Sequence, residues 1–483
     1  MQRAVLKTAL AVATCMGSLA VWRAGVDHEK GIAPAIFAEA WGLRLWRTPP
    51  APAVPLTEPE QPTVAANPEP AMQPSSPATA AKPVIRPSGP RPALSTYLFD
   101  DGGALDSFFD DLQQLETPGD APERVAILHY GDSPTTADLI TGDVRAMLQQ
   151  RFGDAGHGYL LVDKPWAWYG HRDTDLKGDG WTIGNAVGKM RADTYGLGGA
   201  SFQGNEGASS RITLKDGAQT AMVLEYLAQP NGGTVTVSGN GQELAAVDTE
   251  AGTRTPAWKT IPLPTGTRTV DLKVSSGHVE LFGEEFRRLP RGVVYDSLGL
   301  NGASTTVLSR GLNGEVWSAE LRHEAPALVI INYGTNESSF GAFVDKQYEG
   351  ELRLAIGRIR NALPDVSILI MSPMDRGERS GIDQISTMAT IPRIVALQKQ
   401  VAADTHCAFF DTFDAMGGDG TMSRWYTGKP RLVSADLIHP TPQGAAMVAQ
   451  IFVKNLMQGY DIYKKTHTQP VRTETTTGQV AQP

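Results

Sequence analysis

Four short segments of this 483-residue chain carry side chains suited to nucleophilic acyl transfer. Gly131-Asp132-Ser133, Gly299-Leu300-Asn301-Gly302-Ala303-Ser304 and Gly334-Thr335-Asn336-Glu337 each close an apolar run. Asp436-Leu437-Ile438-His439-Pro440 precedes a helical pattern. A serine hydroxyl is a weak nucleophile until a base takes its proton, and an imidazole oriented by a carboxylate does that work. Ser133 is therefore the expected nucleophile. His439 is the base that takes the proton and returns it to the leaving alcohol, and Asp436 fixes the imidazole tautomer. A tetrahedral intermediate also needs donors aimed at its oxyanion. Asn336 offers a side-chain N–H, glycine at 302 lets a backbone N–H approach closely, and the N–H of Ser133 completes the set, with Gly299 the second choice in its segment. Each piece alone has a plainer explanation: a serine after a strand is usually an N-cap, an asparagine in a turn serves its backbone, and a histidine before proline caps or sits at the surface. Their common order and context carry the catalytic expectation.

The elements that must hold these segments are legible in the apolar spacing. Arg124–Tyr130, Val293–Leu298, Ala327–Tyr333, Val366–Ser372 and Cys407–Thr412 read as short buried strands. Thr135–Phe152, Gln347–Leu363, Pro392–Asp404 and Pro442–Met457 carry helical spacing, the last with Thr441 as N-cap and Pro442 at the first helical position. Apolar strands alternating with helices predict an α/β fold whose parallel sheet is covered on both faces, with ligands bound beyond the strands' carboxyl ends. His129 falls inside the first strand and reads as a satisfied core histidine rather than a second base.

Asp154 to Arg291 breaks the rhythm. Alternating runs at Thr220–Tyr226, Gly233–Val237, Thr269–Val274 and His278–Phe282, punctuated by Asn231-Gly232-Gly233 and Gly239-Asn240-Gly241, predict an antiparallel β-sandwich inserted into the α/β domain. Near its start, Trp166, Trp168, Tyr169 and His171 form an aromatic cluster that could stack on a sugar or pack the insertion against its host. Trp181, Trp258 and Trp317 read as core. Asp375 and Arg376, after the fourth strand, lie on the side of the site and are candidates for substrate contact, or for an ordinary surface ion pair.

The remainder of the chain differs in kind. Ala4–Trp22 is an apolar run, interrupted by Lys7, that would span ~28 Å as a helix against a ~30 Å bilayer core. Arg3 and Lys7 before it orient the following chain outward, and no small-residue cleavage site is evident, so an uncleaved signal anchor is expected over residues 1–25, a cleaved signal being the alternative. Fourteen of the 33 prolines fall between Pro49 and Pro92, within an expected disordered linker over 26–93. The folded part is then expected over 94–153 and 292–465 with the insertion at 154–291, and residues 466–483 form a polar tail. A net charge of 43 − 52 = −9 argues against nucleic-acid binding. Two cysteines, Cys15 and Cys407, make neither a disulfide framework nor a thiolate zinc site. No dinucleotide, Walker or HExxH motif points to a cofactor or metal, and none is expected.

The four segments resemble blocks I, II, III and V of the SGNH (GDSL-type) hydrolase superfamily, with Pro134 where the family usually has leucine. The resemblance implies a flavodoxin-like three-layer α/β/α domain. It also implies a Ser133–His439–Asp436 triad and an oxyanion hole of Ser133, Gly302 and Asn336. A sandwich between blocks I and II is similar to the arrangement in peptidoglycan O-acetylesterases. The function expected on that basis is an extracytoplasmic, membrane-anchored carbohydrate esterase taking small acyl groups from a glycan. The alternatives are an acyltransferase to a sugar hydroxyl and a non-catalytic glycan-binding protein.

Overall fold

A computed structural model describes residues 94–117, 124–187, 192–379, 381 and 384–467. The expected signal anchor and proline-rich linker lie outside the described residues, as does the tail beyond His467.

One central sheet organises the α/β part. Its strands are β1 (Leu98–Phe99), β2 (Arg124–Gly131), β3 (Gly292–Gly299), β4 (Leu328–Asn332), β5 (Ser367–Met371) and β6 (Ala408–Phe410), in spatial order β1-β6-β5-β4-β2-β3. β2 to β6 are mutually parallel, while β1 pairs antiparallel with β6 at one edge. Successive residues of a strand point to opposite faces, so a sheet covered twice needs apolar residues at every position. β4 shows this directly: Leu328 and Ile330 join one apolar cluster, Val329 and Ile331 the other. The first cluster is completed by helices Asp106–Glu116, Leu139–Phe152 and Pro442–His467, the second by Gly314–Glu324, Tyr348–Ala362 and Thr390–Asp404. Three layers result. Without the edge strand β1, the order is that of flavodoxin-like sheets, whose ligands sit where the winding direction reverses. Here that point is the carboxyl end of β2, between β3 and β4.

Local chemistry explains the departures from the expected elements. The helix expected over Thr135–Phe152 is two, Ser133–Thr136 and Leu139–Phe152, because Asp138 takes a left-handed conformation (φ 53°) between them. Its buried carboxylate is held by Arg145 and by the Thr141 hydroxyl (2.7 Å), which compensates the strain. The final helix runs on to His467, ten residues beyond the expected end and past the expected start of the tail, with Tyr460 and Tyr463 packed on Phe109. Its N-terminus is capped as expected, the Gly444 N–H donating to the Thr441 hydroxyl (3.3 Å).

Between Gly158 and Arg287 lie two antiparallel sheets. One is ordered Gln242–Asp248, Thr234–Gly239, Thr269–Ser276, Ser209–Leu214, Thr174–Asp179. The other is ordered Thr255–Pro262, Ala221–Ala228, His278–Arg287, Ala200–Asn205, Thr182–Asn185, with Gly158–Leu160 also paired to His278–Arg287. Asn240 and Gly241, both at positive φ, make the two-residue turn of one hairpin. The inward residues of both sheets, such as Val237, Leu272, Leu224 and Leu281, belong to the same apolar cluster as Leu128, Tyr130 and Ile331 of the central sheet. The β-rich insertion therefore shares a core with its host. Among the described residues, no helix is long and apolar enough to cross a membrane.

Candidate active site

Each chemistry-bearing segment emerges from the carboxyl end of a central strand or from the turn before the last helix. Ser133 opens the short helix after β2, with Pro134 inside its first turn, where a missing N–H costs nothing. The His439 Nε2 lies 2.8 Å from Ser133 Oγ, and its Nδ1 lies 2.7 Å from Asp436 Oδ2. The Asp436–His439 turn is held by its own backbone. Asp436 Oδ1 accepts the N–H groups of Ile438 (3.0 Å) and His439 (3.1 Å). Leu437 between them adopts φ 61°, an uncommon conformation for leucine, and burial of its side chain keeps it there. The Leu437 carbonyl accepts from Gly377 N (2.9 Å), which ties the turn to the segment after β5.

The electrostatics follow from these contacts. Burial alone would raise the Asp436 carboxyl, but the His439 ring and the two backbone N–H groups outweigh it and hold it well below the usual range. His439 is raised, chiefly by its hydrogen bond to Asp436; burial opposes this, the charge of Asp436 and of Asp132 adds to it, and Arg376 subtracts. Asp132 is 2 % exposed, and burial pushes its carboxyl up to about 7 against the opposing Thr335 hydroxyl, with Glu337 adding to the rise. Asp132 Oδ2 has no hydrogen-bond partner among the described residues.

The two oxyanion candidates lie on loops joined by a hydrogen bond from Asn336 to Ala303. Gly302 sits at φ 75°, and a Cβ there would meet nothing nearer than Val187 Cγ1 at 3.6 Å, so backbone conformation rather than crowding requires glycine. Gly299, the second choice, does other work: a Cβ on it would press into the backbone of Thr135 and Thr136, so glycine there lets the Ser133 helix lie on β3. The Asn336 Nδ2 donates to the Ala303 carbonyl (2.7 Å), which leaves its second N–H directed elsewhere. Glu337, to which residue type and spacing assign no role, is buried between the same two loops. Its carboxylate accepts from Thr305 N (2.7 Å), Thr305 Oγ1 (2.9 Å) and Gly334 N (3.1 Å). The only signal for it in the sequence is a carboxylate directly after Asn336.

The substrate-contact candidates divide. Asp375 is not available to a substrate. It is buried, with Oδ1 accepting the Thr387 hydroxyl (2.8 Å) and Oδ2 accepting Met422 N (2.7 Å), so it pins the Ile385–Thr387 strand to the Thr421–Thr427 helix. Arg376 is half-buried beside the triad and donates through Nη1 to Thr335 O (2.7 Å) and Ser338 Oγ (3.0 Å), bracing the loop that presents Asn336 rather than forming a surface ion pair. Tyr169 is a second correction. Its ring is buried and its hydroxyl accepts Leu161 N (2.9 Å). Trp166 is half-buried against the core, and His171 is buried with its Nδ1 at 3.0 Å from the Arg172 carbonyl. Trp168 remains 45 % exposed, on a segment joined to the Ser133 helix through Gly170 N and Thr136 O (3.4 Å). His129 is a core histidine, its Nδ1 at 2.7 Å from the Tyr295 hydroxyl and its ring lowered to about 4 by burial. Among the described residues no cluster of histidine, cysteine or carboxylate side chains could hold a metal.

Fold and site thus define a class: a three-layer α/β protein with a serine–histidine–aspartate triad at the sheet's switch point, an esterase of carboxylic ester bonds. More narrowly, this is an SGNH hydrolase fold. Residues 274–447 match the family described as GDSL-like Lipase/Acylhydrolase, a span that holds blocks II, III and V while Ser133 lies upstream of the insertion. Among solved structures, a peptidoglycan O-acetylesterase is similar over 75 % of this chain and 99 % of its own, at 22 % identity and a TM-score of 0.64. A Bacillus subtilis protein (11 % identity, 62 % of this chain and 98 % of that one, TM-score 0.31) is more distant. So is a family two carbohydrate esterase from Cellvibrio japonicus (11 %, 63 % and 98 %, TM-score 0.25). No curated protein sequence matches the chain.

Proposed function

We propose that this esterase removes small acyl groups, acetyl foremost, from a polysaccharide or peptidoglycan outside the cytoplasm. The observation that carries the reading is the assembled triad, with Ser133 Oγ, His439 and Asp436 in continuous hydrogen-bond contact. His439 takes the Ser133 proton as Oγ attacks the ester carbonyl. The oxyanion forms toward the N–H groups of Ser133 and Gly302 and the second N–H of Asn336. Collapse expels the sugar hydroxyl, which receives the proton from His439, and water repeats the sequence to release the acid. The triad's carboxylate and imidazole are both nearly half-exposed, which suits a bulky glycan approaching from solvent. Exposed Trp168, linked to the nucleophile's helix, offers a face for a sugar ring. The similar peptidoglycan O-acetylesterase supports the glycan assignment, and the apolar N-terminal run with its proline-rich spacer supports the location.

The test is hydrolysis of p-nitrophenyl acetate and of O-acetylated peptidoglycan by the protein and by Ser133→Ala. Acetate release from both substrates that falls by at least ~10³-fold in the variant is expected. Equal rates in both proteins would overturn the acyl-enzyme. Release from the nitrophenyl ester alone would overturn the glycan assignment.

A further inference from the structure

An oxyanion hole assembled from two loops works only if the distance between them is fixed. Gly302 belongs to the loop after β3 and Asn336 to the loop after β4, and these strands are not neighbours, since β2 lies between them. No sheet hydrogen bond sets the spacing of the two loops directly. From the geometry we infer that Glu337 is a positioning residue that sets the width of the oxyanion hole. Its Oε1 grips the block II loop at both the N–H and the hydroxyl of Thr305, while its Oε2 grips Gly334 N at the base of the Asn336 loop.

One carboxylate therefore bridges the two donors' loops with three hydrogen bonds. Its side chain is buried, so water cannot substitute for any of them. The Asn336–Ala303 hydrogen bond crosses the same gap in the other direction. Arg376 and Thr390 hold the same loop from other elements, at Thr335 O, Ser338 Oγ and Ser338 O, so the loop is tied on that side as Glu337 ties it to block II. Glu337 touches no reacting atom, and acts only through where Gly302 N and Asn336 Nδ2 come to rest.

This inference rests on the acyl-enzyme reading above, and its test separates the two. Wild type, Ser133→Ala, Glu337→Gln, Glu337→Asp and Thr305→Val are compared on p-nitrophenyl acetate, and for inhibition by a trifluoromethyl ketone, whose serine adduct carries the oxyanion. Glu337→Gln keeps one acceptor oxygen but turns an amide N–H₂ toward the Gly334 N–H. Its kcat is expected to fall ~10–100-fold with KM within about twofold, the pattern for lost transition-state binding. Ketone affinity falls by the same factor. Glu337→Asp lies between, and Thr305→Val, which loses only the hydroxyl, falls ~3–10-fold in kcat and ketone affinity alike. A Glu337 variant that folds and retains wild-type kcat overturns the inference, as does lost kcat with unchanged ketone affinity. Should the Glu337 variants not fold, an unaltered Thr305→Val overturns it instead. Hydrolysis that does not depend on Ser133 refutes the acyl-enzyme reading. Ser133-dependent hydrolysis with wild-type behaviour in these variants refutes the positioning role alone.

Discussion

Asp132, beside the nucleophile, makes a prediction in which stability and catalysis move together. Its carboxyl is buried, has one oxygen without a partner, and is pushed from 3.8 up to about 7, chiefly by burial. The folded protein thus keeps a proton that the unfolded chain releases near pH 4. Between about pH 4 and about pH 7 the unfolded state gains over the folded one, and the penalty persists above that range. A gap of roughly three pH units at ~1.4 kcal/mol each makes the total ~4 kcal/mol at pH 8. Asp132→Asn removes the titration. Its amide still accepts the Thr335 hydroxyl, and it places an N–H₂ where the lone oxygen had no partner, at a pH-independent cost of ~1 kcal/mol. The variant should therefore be less stable than wild type below about pH 4 and more stable at pH 8, with the curves crossing near about pH 4.5. Urea unfolding at half-unit pH intervals reads this directly, and titrating groups that do not feel the Asp132 charge cancel in the difference. Because the Asp132 charge helps raise His439, the acidic limb of kcat/KM should also move to lower pH in the variant. Parallel pH–stability curves for the two proteins would refute the reasoning, whatever the activity.

Two further outcomes test the site. Asp436→Asn removes the group that chiefly raises His439 and fixes its tautomer, so kcat should fall ~10³–10⁴-fold and the acidic limb of the remaining activity should shift to lower pH; a limb left in place would refute the assigned electrostatics. Trp168→Ala should leave p-nitrophenyl acetate hydrolysis and the melting temperature unchanged while raising KM for acetylated glycan about tenfold, and an unchanged glycan KM would remove Trp168 from the substrate path.

The triad and the parallel sheet were legible for the same reason. A strand buried on both faces reads as an unbroken apolar run, and its carboxyl end marks where polar residues must be functional or capping. Runs such as Ala327–Tyr333 therefore fell within two residues of the observed strands. The edge strand Leu98–Phe99 could not be read, because two residues carry no period and its pairing with Phe410 is purely tertiary. Nor could the break at Asp138, where the apolar spacing continues unchanged through Leu139 and Val144 while an Arg145 contact makes the left-handed residue tolerable. Beyond the triad, residue type alone misled. Asp375, Arg376 and Tyr169 have the chemistry of substrate contacts, and only the placement of Met422 N, Thr335 O and Leu161 N shows that the fold itself uses them.

The position of the insertion has a consequence for the site. It leaves the chain after the helix that follows Ser133 and re-enters at β3, the strand that delivers Gly302, so both its ends are anchored within the catalytic framework. A sheet domain tethered there must pack on the block II side, and its contacts show it doing so. Tyr159 N donates to Asp296 on β3 (2.7 Å), Val187 is the nearest side chain to the Cα substituent that Gly302 lacks, and Gly170 N reaches the end of the Ser133 helix. Its junction with the Gly314–Glu324 helix buries carboxyls from both partners. Glu225 from the insertion pairs with Glu320 from the helix, both raised chiefly by burial, and Trp258 Nε1 donates to Glu320 (3.2 Å). Two carboxyls buried side by side cannot both ionise without penalty, so this junction loses stability as pH rises above the ordinary carboxylate range. The insertion is thereby fixed to its host by the Tyr159–Asp296 and Trp258–Glu320 hydrogen bonds as well as by the shared apolar core, and it brings Val187 beside the Gly302 loop.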